Sequence, residues 1–273
     1  MKTFSFRNWA QVLMLAALAV AVRAGERVDI LVQGAEKLEI GMIREALTDA
    51  RKVEVGPFSF WVGKVGPHKV AVSLTGQGLI NCTASTVLGI EEFSPKLIVN
   101  QGTSGAQAPY LGLHDIIVGR RALDYGNFVT PVRGAGAGSD ALGWTPLAQK
   151  IRKGKGGELI AFPKGFDGDA ACIEVAMRTR NPMGNLYEGV IGSAHEINLE
   201  LDRVKWSRDT FGMDVEEMES GHVAALAHAY GVRHVAFRVV SDAPYDGVPF
   251  YALAGRAGAL FTVNFLRNLP ALE

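Results

Sequence analysis

VEEMESGHVAALAHAYGVRHVAFRVVSD, residues 215–242, is the stretch whose reading decides the fold. Three acids, Glu216, Glu217 and Glu219, open an apolar run from Ser220 to Tyr230 whose residues fit a helical period. After a glycine at 231 comes Val235 to Val240, short, valine-rich and apolar on both faces, which reads as a strand buried within a sheet. The strand ends in the polar pair Ser241-Asp242. A helix feeding a buried strand with polar residues at its end is the repeating unit of a layered α/β protein.

The same alternation recurs outward from this unit. Val28 to Val32, Val70 to Leu74, Leu97 to Val99 and Ile116 to Val118 read as further buried strands. Helical spacing appears from about Ile40 to Ala50, Leu79 to Phe93, Ala170 to Arg178 and Tyr251 to Leu266. The expected fold class is therefore α/β. No internal repeat is present, and the alternating Gly/Ala stretch Gly134 to Gly138 reads as a mobile surface loop.

Composition excludes several function classes. The 273 residues are 48% hydrophobic and 21% charged, with 28 basic against 28 acidic side chains. Balanced charge gives no basic face of the kind that releases counterions from nucleic acid, so no nucleic-acid partner is expected. The basic run Lys150, Arg152, Lys153 and Lys155 lies among glycines and reads as a solvated loop. Cys82 and Cys172 are too few for a metal cluster or a disulfide framework; they read as free core thiols, with a bridge between them left open.

Lys2 and Arg7 precede an apolar stretch from Trp9 to Val22, with small residues around Ala24, which is a signal-peptide pattern for residues 1–24. The stretch is shorter than the about 20 residues a spanning helix needs. Cleavage near Ala24, a periplasmic or secreted location and no stable membrane insertion afterwards are expected; an uncleaved anchor is the competing reading. Residues 25–273 then suffice for one catalytic domain.

Polar residues cluster just after strands, at Gly34 to Glu39, Thr75 to Gly78, Gly102 to Gly105 and Ser241-Asp242. Strand ends are where such sheets bind ligands. Gly76-x-Gly78 and Gly102-x-x-Gly105 lack the three-glycine dinucleotide spacing, and no Gly-Lys-Ser/Thr phosphate loop exists. His195-Glu196 has no metal-ligand spacing, and Gly192-Ser193 is followed by alanine and histidine rather than a nucleophile elbow. No metal or organic cofactor is expected.

Residues Val215 to Asp242 resemble the segment of methylthioadenosine/S-adenosylhomocysteine nucleosidases, in the nucleoside phosphorylase superfamily, that carries a Glu-Met-Glu ribose motif and an Arg-x-x-Ser-Asp base motif. The resemblance extends to Gly34-Ala35 with Glu39, Asn100 to Gly105, Asp115 to Val118 and Gly189 to Asn198, in order along the chain. It implies a three-layer α/β/α domain with a mixed central sheet, a homodimer, and hydrolysis of the N-glycosidic bond of a purine nucleoside.

By that resemblance Asp242 is the general acid at purine N7, and Glu39 orients and deprotonates the attacking water. Glu219 accepts hydrogen bonds from ribose hydroxyls, Met218 lies beneath the sugar, Arg238 pairs with nearby carboxylates, and Thr103 keeps a hydroxyl where relatives carry serine. Ser241, Gln77, Glu196, Ile197 and Phe250 complete the expected substrate contacts. Cleavage leaves positive charge on the sugar and negative charge on the departing base, so an acid at the base and a carboxylate at the sugar are the groups required. A free aspartic acid has a pKa near about 3.9 and must be desolvated or hydrogen-bonded to keep its proton near neutrality.

Phosphorylases of the superfamily hold phosphate with arginines, one in a Gly-Asp-Pro-x-x-Arg loop. Here that loop is Gly34 to Glu39, and the second arginine position is Asn100. A carboxylate repels a phosphate dianion in a small pocket, which favours water as acceptor. The base pocket departs from the pattern: His195, Glu196 and Ile197 stand where relatives place an aromatic side chain. Stacking on Tyr125, Phe128 or Phe250 is left open, as is whether Glu196 meets a base edge or solvent. A phosphate-dependent phosphorylase and an exported nucleoside-binding protein without turnover are the alternatives. Export also points to salvage of extracellular purine nucleosides, because the family's usual substrates arise in the cytoplasm.

Overall fold

The computed structural model describes residues 26–273, so the leader expected at 1–24 lies outside the described residues. In chain order the main elements are β1 (Ile30–Gly34), α1 (Lys37–Glu45), β2 (Thr48–Val55), β3 (Phe58–Val65), β4 (His68–Leu74), α2 (Leu79–Phe93), β5 (Leu97–Ala106) and β6 (Ile116–Asp124). There follow β7 (Phe128–Val129), β8 (Thr145–Pro146), β9 (Gln149–Arg152), β10 (Leu159–Phe162), β11 (Phe166–Asp167), α3 (Ala170–Arg178) and β12 (Leu186–Ser193). The chain closes with α4 (Leu201–Phe211), β13 (Val215–Glu217), α5 (Ser220–Tyr230), β14 (Arg233–Asp242) and α6 (Ala254–Asn268).

Ten strands form one mixed sheet. Its parallel centre is β4-β1-β5-β14, and β2 and β3 extend it antiparallel beyond β4. Beyond β14 the sheet curls back on itself, because β14 pairs β6, β6 pairs β12, β12 pairs β13 and β13 returns to β5. The end of β5 is thus flanked by β14 on one side and β13 on the other.

Ile30 and Val32 of β1 join one apolar cluster and Leu31 another, the two-residue alternation of a strand buried on both faces. The first cluster takes in Ile40 and Ile43 of α1, Cys172 and Ala176 of α3, and Phe261 and Phe265 of α6. The second takes in Cys82, Ile90 and Phe93 of α2 and Val223 and Ala227 of α5. Helices therefore cover both faces, in the three-layer arrangement expected. Phe237 of β14 meets Phe261 and Phe265 edge-on, with centroids 5.2 and 4.8 Å away. Such pairs add about 0.5–1.5 kcal/mol each beyond area burial.

The expected helix from Ile40 to Ala50 is corrected: α1 ends at Glu45, and Thr48 onward is the exposed strand β2. The spacing of Ile40, Ile43 and Leu47 continues past the true helix end at Glu45, and Asp49, in the left-handed region (φ 54), already lies in β2 where its pairing with β3 is irregular. The hairpin β2–β3, the strands β12 and β13, and the polar helix α4 have no strong apolar period and went unread. Residues 134–138 are exposed as expected. The basic run is exposed too, but it belongs to a two-stranded hairpin, β9–β10, rather than to a plain loop. Cys82 and Cys172 are buried and free. Among the described residues no helix is long and apolar enough to cross a membrane.

Candidate active site

Two polar clusters meet the end of β5, each in a gap left by a glycine. A Cβ on Gly102 would overlap Nη1 of Arg238 and lie 2.8 Å from Oε1 of Glu39. A Cβ on Gly105 would lie 2.8 Å from Oδ2 of Asp242 and 3.4 Å from Cγ of Glu216. Two residues, Thr103 and Ser104, lie between these glycines, which stand three strand steps or about 10 Å apart.

At the first gap, α1 places Glu39 in its opening turn, where the carboxylate is buried and held on both oxygens. Oε2 accepts from the backbone N–H groups of Ala35 (2.8 Å) and Glu36 (2.9 Å). Oε1 accepts from the N–H (2.8 Å) and hydroxyl (3.0 Å) of Thr103. The routine helix-start role of an acid and the aiming of that acid into the strand end are thus served by opposite oxygens of one group.

Arg238 is 1% exposed and enters this gap from β14. It pairs with Glu217 and, at 3.6 Å, with Glu219. It also donates to Ser220 Oγ (3.1 Å) and Asn100 Oδ1 (2.5 Å). Glu217 further accepts from the N–H groups of Glu219 and Ser220, which fixes the turn entering α5. Glu219 then accepts from the N–H of Gly78 (2.7 Å). Burial, reinforced by Glu217 and opposed by Arg238, raises the Glu219 carboxyl above its ordinary pKa. Met218 is half-buried and belongs to none of the apolar clusters.

At the second gap, the pairing of β14 with β5 slips between Val240 and Asp242, so that Asp242 faces Gly105. A bulge of this kind re-aims a side chain at the end of a ladder. Burial raises the Asp242 pKa, while the hydrogen bond from Ser241 Oγ (2.8 Å) opposes it. That hydroxyl also reaches the carbonyl of Ser104 at 3.1 Å, and its single proton serves one acceptor at a time.

The remaining expected contacts surround these clusters less tightly. Gln77 lies on the loop that carries Gly78, with its side chain exposed. Ile197 and Phe250 are 69% and 64% exposed, on different loops. Glu196 is part-exposed, and one of its carboxylate oxygens pairs with Arg203 at 3.1 Å. Of the stacking alternatives, Tyr125 is fully buried with its hydroxyl on Glu216, and Phe128 packs among Trp144, Trp206 and Phe211. Phe250 is the most exposed of the three, and Phe128 is part-exposed. His195 caps α2 by accepting from the N–H of Leu79 at 2.7 Å.

Glu217, Asn100 and Ser220 carry no assigned role in the sequence reading, although Glu217 is the first residue of the Glu-Met-Glu motif, Ser220 follows it and Asn100 lies within β5. A surface hollow of about 410 Å³ lined by Arg120, Arg121, Lys164 and Phe211 shares no residue with either cluster. Chemically, the strand end offers a protonatable carboxyl at one gap and oriented, partly neutralised carboxylates at the other. This suits a ligand that is cleaved between a basic heterocycle and a polyol.

The family model of the phosphorylase superfamily matches residues 22–258, and the chain belongs to that superfamily. Within it, the chain is 24% identical over 244 residues to the 5'-methylthioadenosine/S-adenosylhomocysteine nucleosidase of Tolumonas auensis, covering 86% of this chain and 97% of that one. The enzyme of the same name from Bacillus thuringiensis is 26% identical over 242 residues, covering 87% and 96%. Among solved structures, the nucleosidase from Neisseria meningitidis in complex with methylthio-immucillin-A superposes with a TM-score of 0.69 at 24% identity, covering 88% and 99%.

Proposed function

We propose that this protein hydrolyses the N-glycosidic bond of a purine nucleoside, releasing free base and a ribose or 5-modified ribose. The observation that carries the reading is the division of labour along Gly102 to Gly105, with Asp242 at one end and the Glu39–Arg238–Glu219 cluster at the other. The named relatives are nucleosidases, which supports the same reading.

Asp242, whose hold on its proton burial strengthens, donates to N7 as electrons flow into the departing base. Glu219 accepts from the ribose hydroxyls and Met218 packs beneath the ring. Glu39, oriented by four donors, positions and deprotonates the water that captures the cationic sugar. Water rather than phosphate is the acceptor, because Arg238, the arginine touching this cluster, is already paired with Glu217 and Glu219. A phosphate dianion there would face three carboxylates.

The test is release of free base from methylthioadenosine, S-adenosylhomocysteine, adenosine, inosine and guanosine in phosphate-free buffer. Release establishes a nucleosidase and names its substrate. Activity only after phosphate is added makes the protein a phosphorylase, and binding without turnover makes it a nucleoside-binding protein.

Two further parts of the reading have their own support and tests. The leader pattern supports export to the periplasm or medium, with the mature chain beginning near Gly25, which fractionation and N-terminal sequencing check. Exposed apolar side chains at Ile80 (75%), Ile197 (69%) and Leu199 (72%) support a homodimer, which sedimentation measures.

A further inference from the structure

We propose that Glu216 is a positioning residue for the purine end of the site, its carboxylate fastening the loop from Gly192 to Asn198 beside Asp242. This rests on the nucleosidase reading above. Glu216 and Glu217 are neighbours on β13 and point to opposite faces, as alternate residues of a strand do. Glu217 orders the ribose cluster; Glu216 turns toward the base end, pairing in register with Gly105 of β5 and Gly192 of β12.

Both oxygens of Glu216 are occupied. Oε1 accepts from the backbone N–H of Asn198 (2.8 Å), and Oε2 from Asn198 Nδ2 (2.6 Å) and the Tyr125 hydroxyl (2.9 Å). At 5% exposure, with two of its three bonds from Asn198 of the loop and the third from Tyr125, the carboxylate is turned into the protein rather than toward a ligand. Its effect is on Asn198, and so on the segment His195-Glu196-Ile197 between that anchor and the Ala194 N–H, which donates to Glu217 O (3.0 Å).

A buried carboxylate is costly, and an apolar residue of similar size would pack at less expense. The groups facing Glu216 are Tyr125 from the end of β6, Asp242 across Gly105, and Glu196 on the loop. Arg203 of α4 reaches it only through Glu196. Burial accordingly pushes the Glu216 carboxyl up to about 7, against the hydrogen bonds from Asn198 and Tyr125. Only the ionised form accepts all three hydrogen bonds at once, so a carboxylate at this position is explained by the loop it holds.

The test compares wild type with Glu216→Gln for kcat and KM across pH, and for inhibition by the free purine product and by free ribose. The amide has one acceptor oxygen, so its NH2 must face either the Asn198 N–H or the paired donors Asn198 Nδ2 and Tyr125 OH, and all three bonds cannot be kept. The nucleoside KM and the base inhibition constant should both rise about tenfold, with kcat falling less. Ribose inhibition should stay as in wild type, and the fall in kcat/KM below about pH 7 that follows Glu216 protonation should disappear. Wild-type KM and base inhibition in the variant, whatever its melting temperature, would overturn the proposal. Tyr125→Phe removes one donor and keeps the ring; it is read in the same way should the Gln variant not fold. Absence of base release by wild type would sink the nucleosidase reading, whereas normal wild-type release with an unaltered Glu216→Gln enzyme sinks only this inference.

Discussion

Thr103 gives both its backbone N–H and its hydroxyl to a single oxygen of Glu39, at 2.8 and 3.0 Å. The strand end therefore sets the direction in which that carboxylate presents itself, across a separation of 64 residues. Thr103→Val keeps the shape and the N–H but removes the hydroxyl. It should lower kcat about tenfold, as loss of one hydrogen bond to a charged group would, while Thr103→Ser stays near wild type. Initial rates of base release check both.

Asp242→Asn keeps the size of the side chain and removes the transferable proton. Base release from a natural purine nucleoside should fall about 10²–10⁴-fold in kcat/KM. A riboside whose leaving group departs without a proton, such as p-nitrophenolate, should lose far less. Equal losses on both substrates would place Asp242 outside proton transfer.

Gly102→Ala puts a methyl group where Arg238 Nη1 now lies, with Glu39 Oε1 at 2.8 Å. Overpacking of this kind costs about 1–3 kcal/mol. The variant should unfold at lower urea concentration and lose base release, because the displaced arginine is the partner of Glu217 and Glu219. Gly134→Ala, where a Cβ meets nothing within 4 Å, is the control that should change neither.

His234 is buried in β14, and burial, opposed by Asp169, pushes its pKa down to about 4. A histidine depressed in the folded state favours folding fully only above its unfolded pKa, near about 6.5, and that contribution is lost as pH falls toward 4. Between these values His234 should contribute a slope approaching about 1.4 kcal/mol per pH unit. Glu216 and Glu219, raised in the folded state, act with the opposite sign: their contribution is present below the unfolded carboxylate pKa and lost as pH rises through their folded values. The difference between wild type and His234→Leu isolates the histidine. The advantage of wild type over the variant, measured by urea unfolding, should shrink steadily from pH 6.5 to 4, and a constant difference would rule this out.

Much was legible in the chain itself. The apolar periods of α2, α3 and α5 coincide with the helices observed, since each buries a continuous stripe whose spacing is local. The central strands β1, β4, β5, β6 and β14 announced themselves as uninterrupted apolar runs because both of their faces are covered. Where much of the element is exposed, as in β2 and α4, or the buried residues are acids, as in β13, local spacing carried too little information. The Glu-Met-Glu and Arg-x-x-Ser-Asp motifs named Glu219, Arg238 and Asp242 as chemistry-bearing before any contact was known.

What the tertiary structure alone decided is which of these groups touch. Gly78 meets Glu219 across 141 residues of sequence and Arg238 meets Asn100 across 138. The Asp242 carboxyl reaches Gly105 only because the β5–β14 ladder slips at Ser241. Glu216 and Glu217 look alike as adjacent acids, yet opposite faces of one strand send the first to Asn198 and Tyr125 and the second to Arg238. Local composition supplies the chemical groups and the period of each element. Register, bulges and the closing of the sheet around β5 set their partners, because those depend on long-range strand pairing.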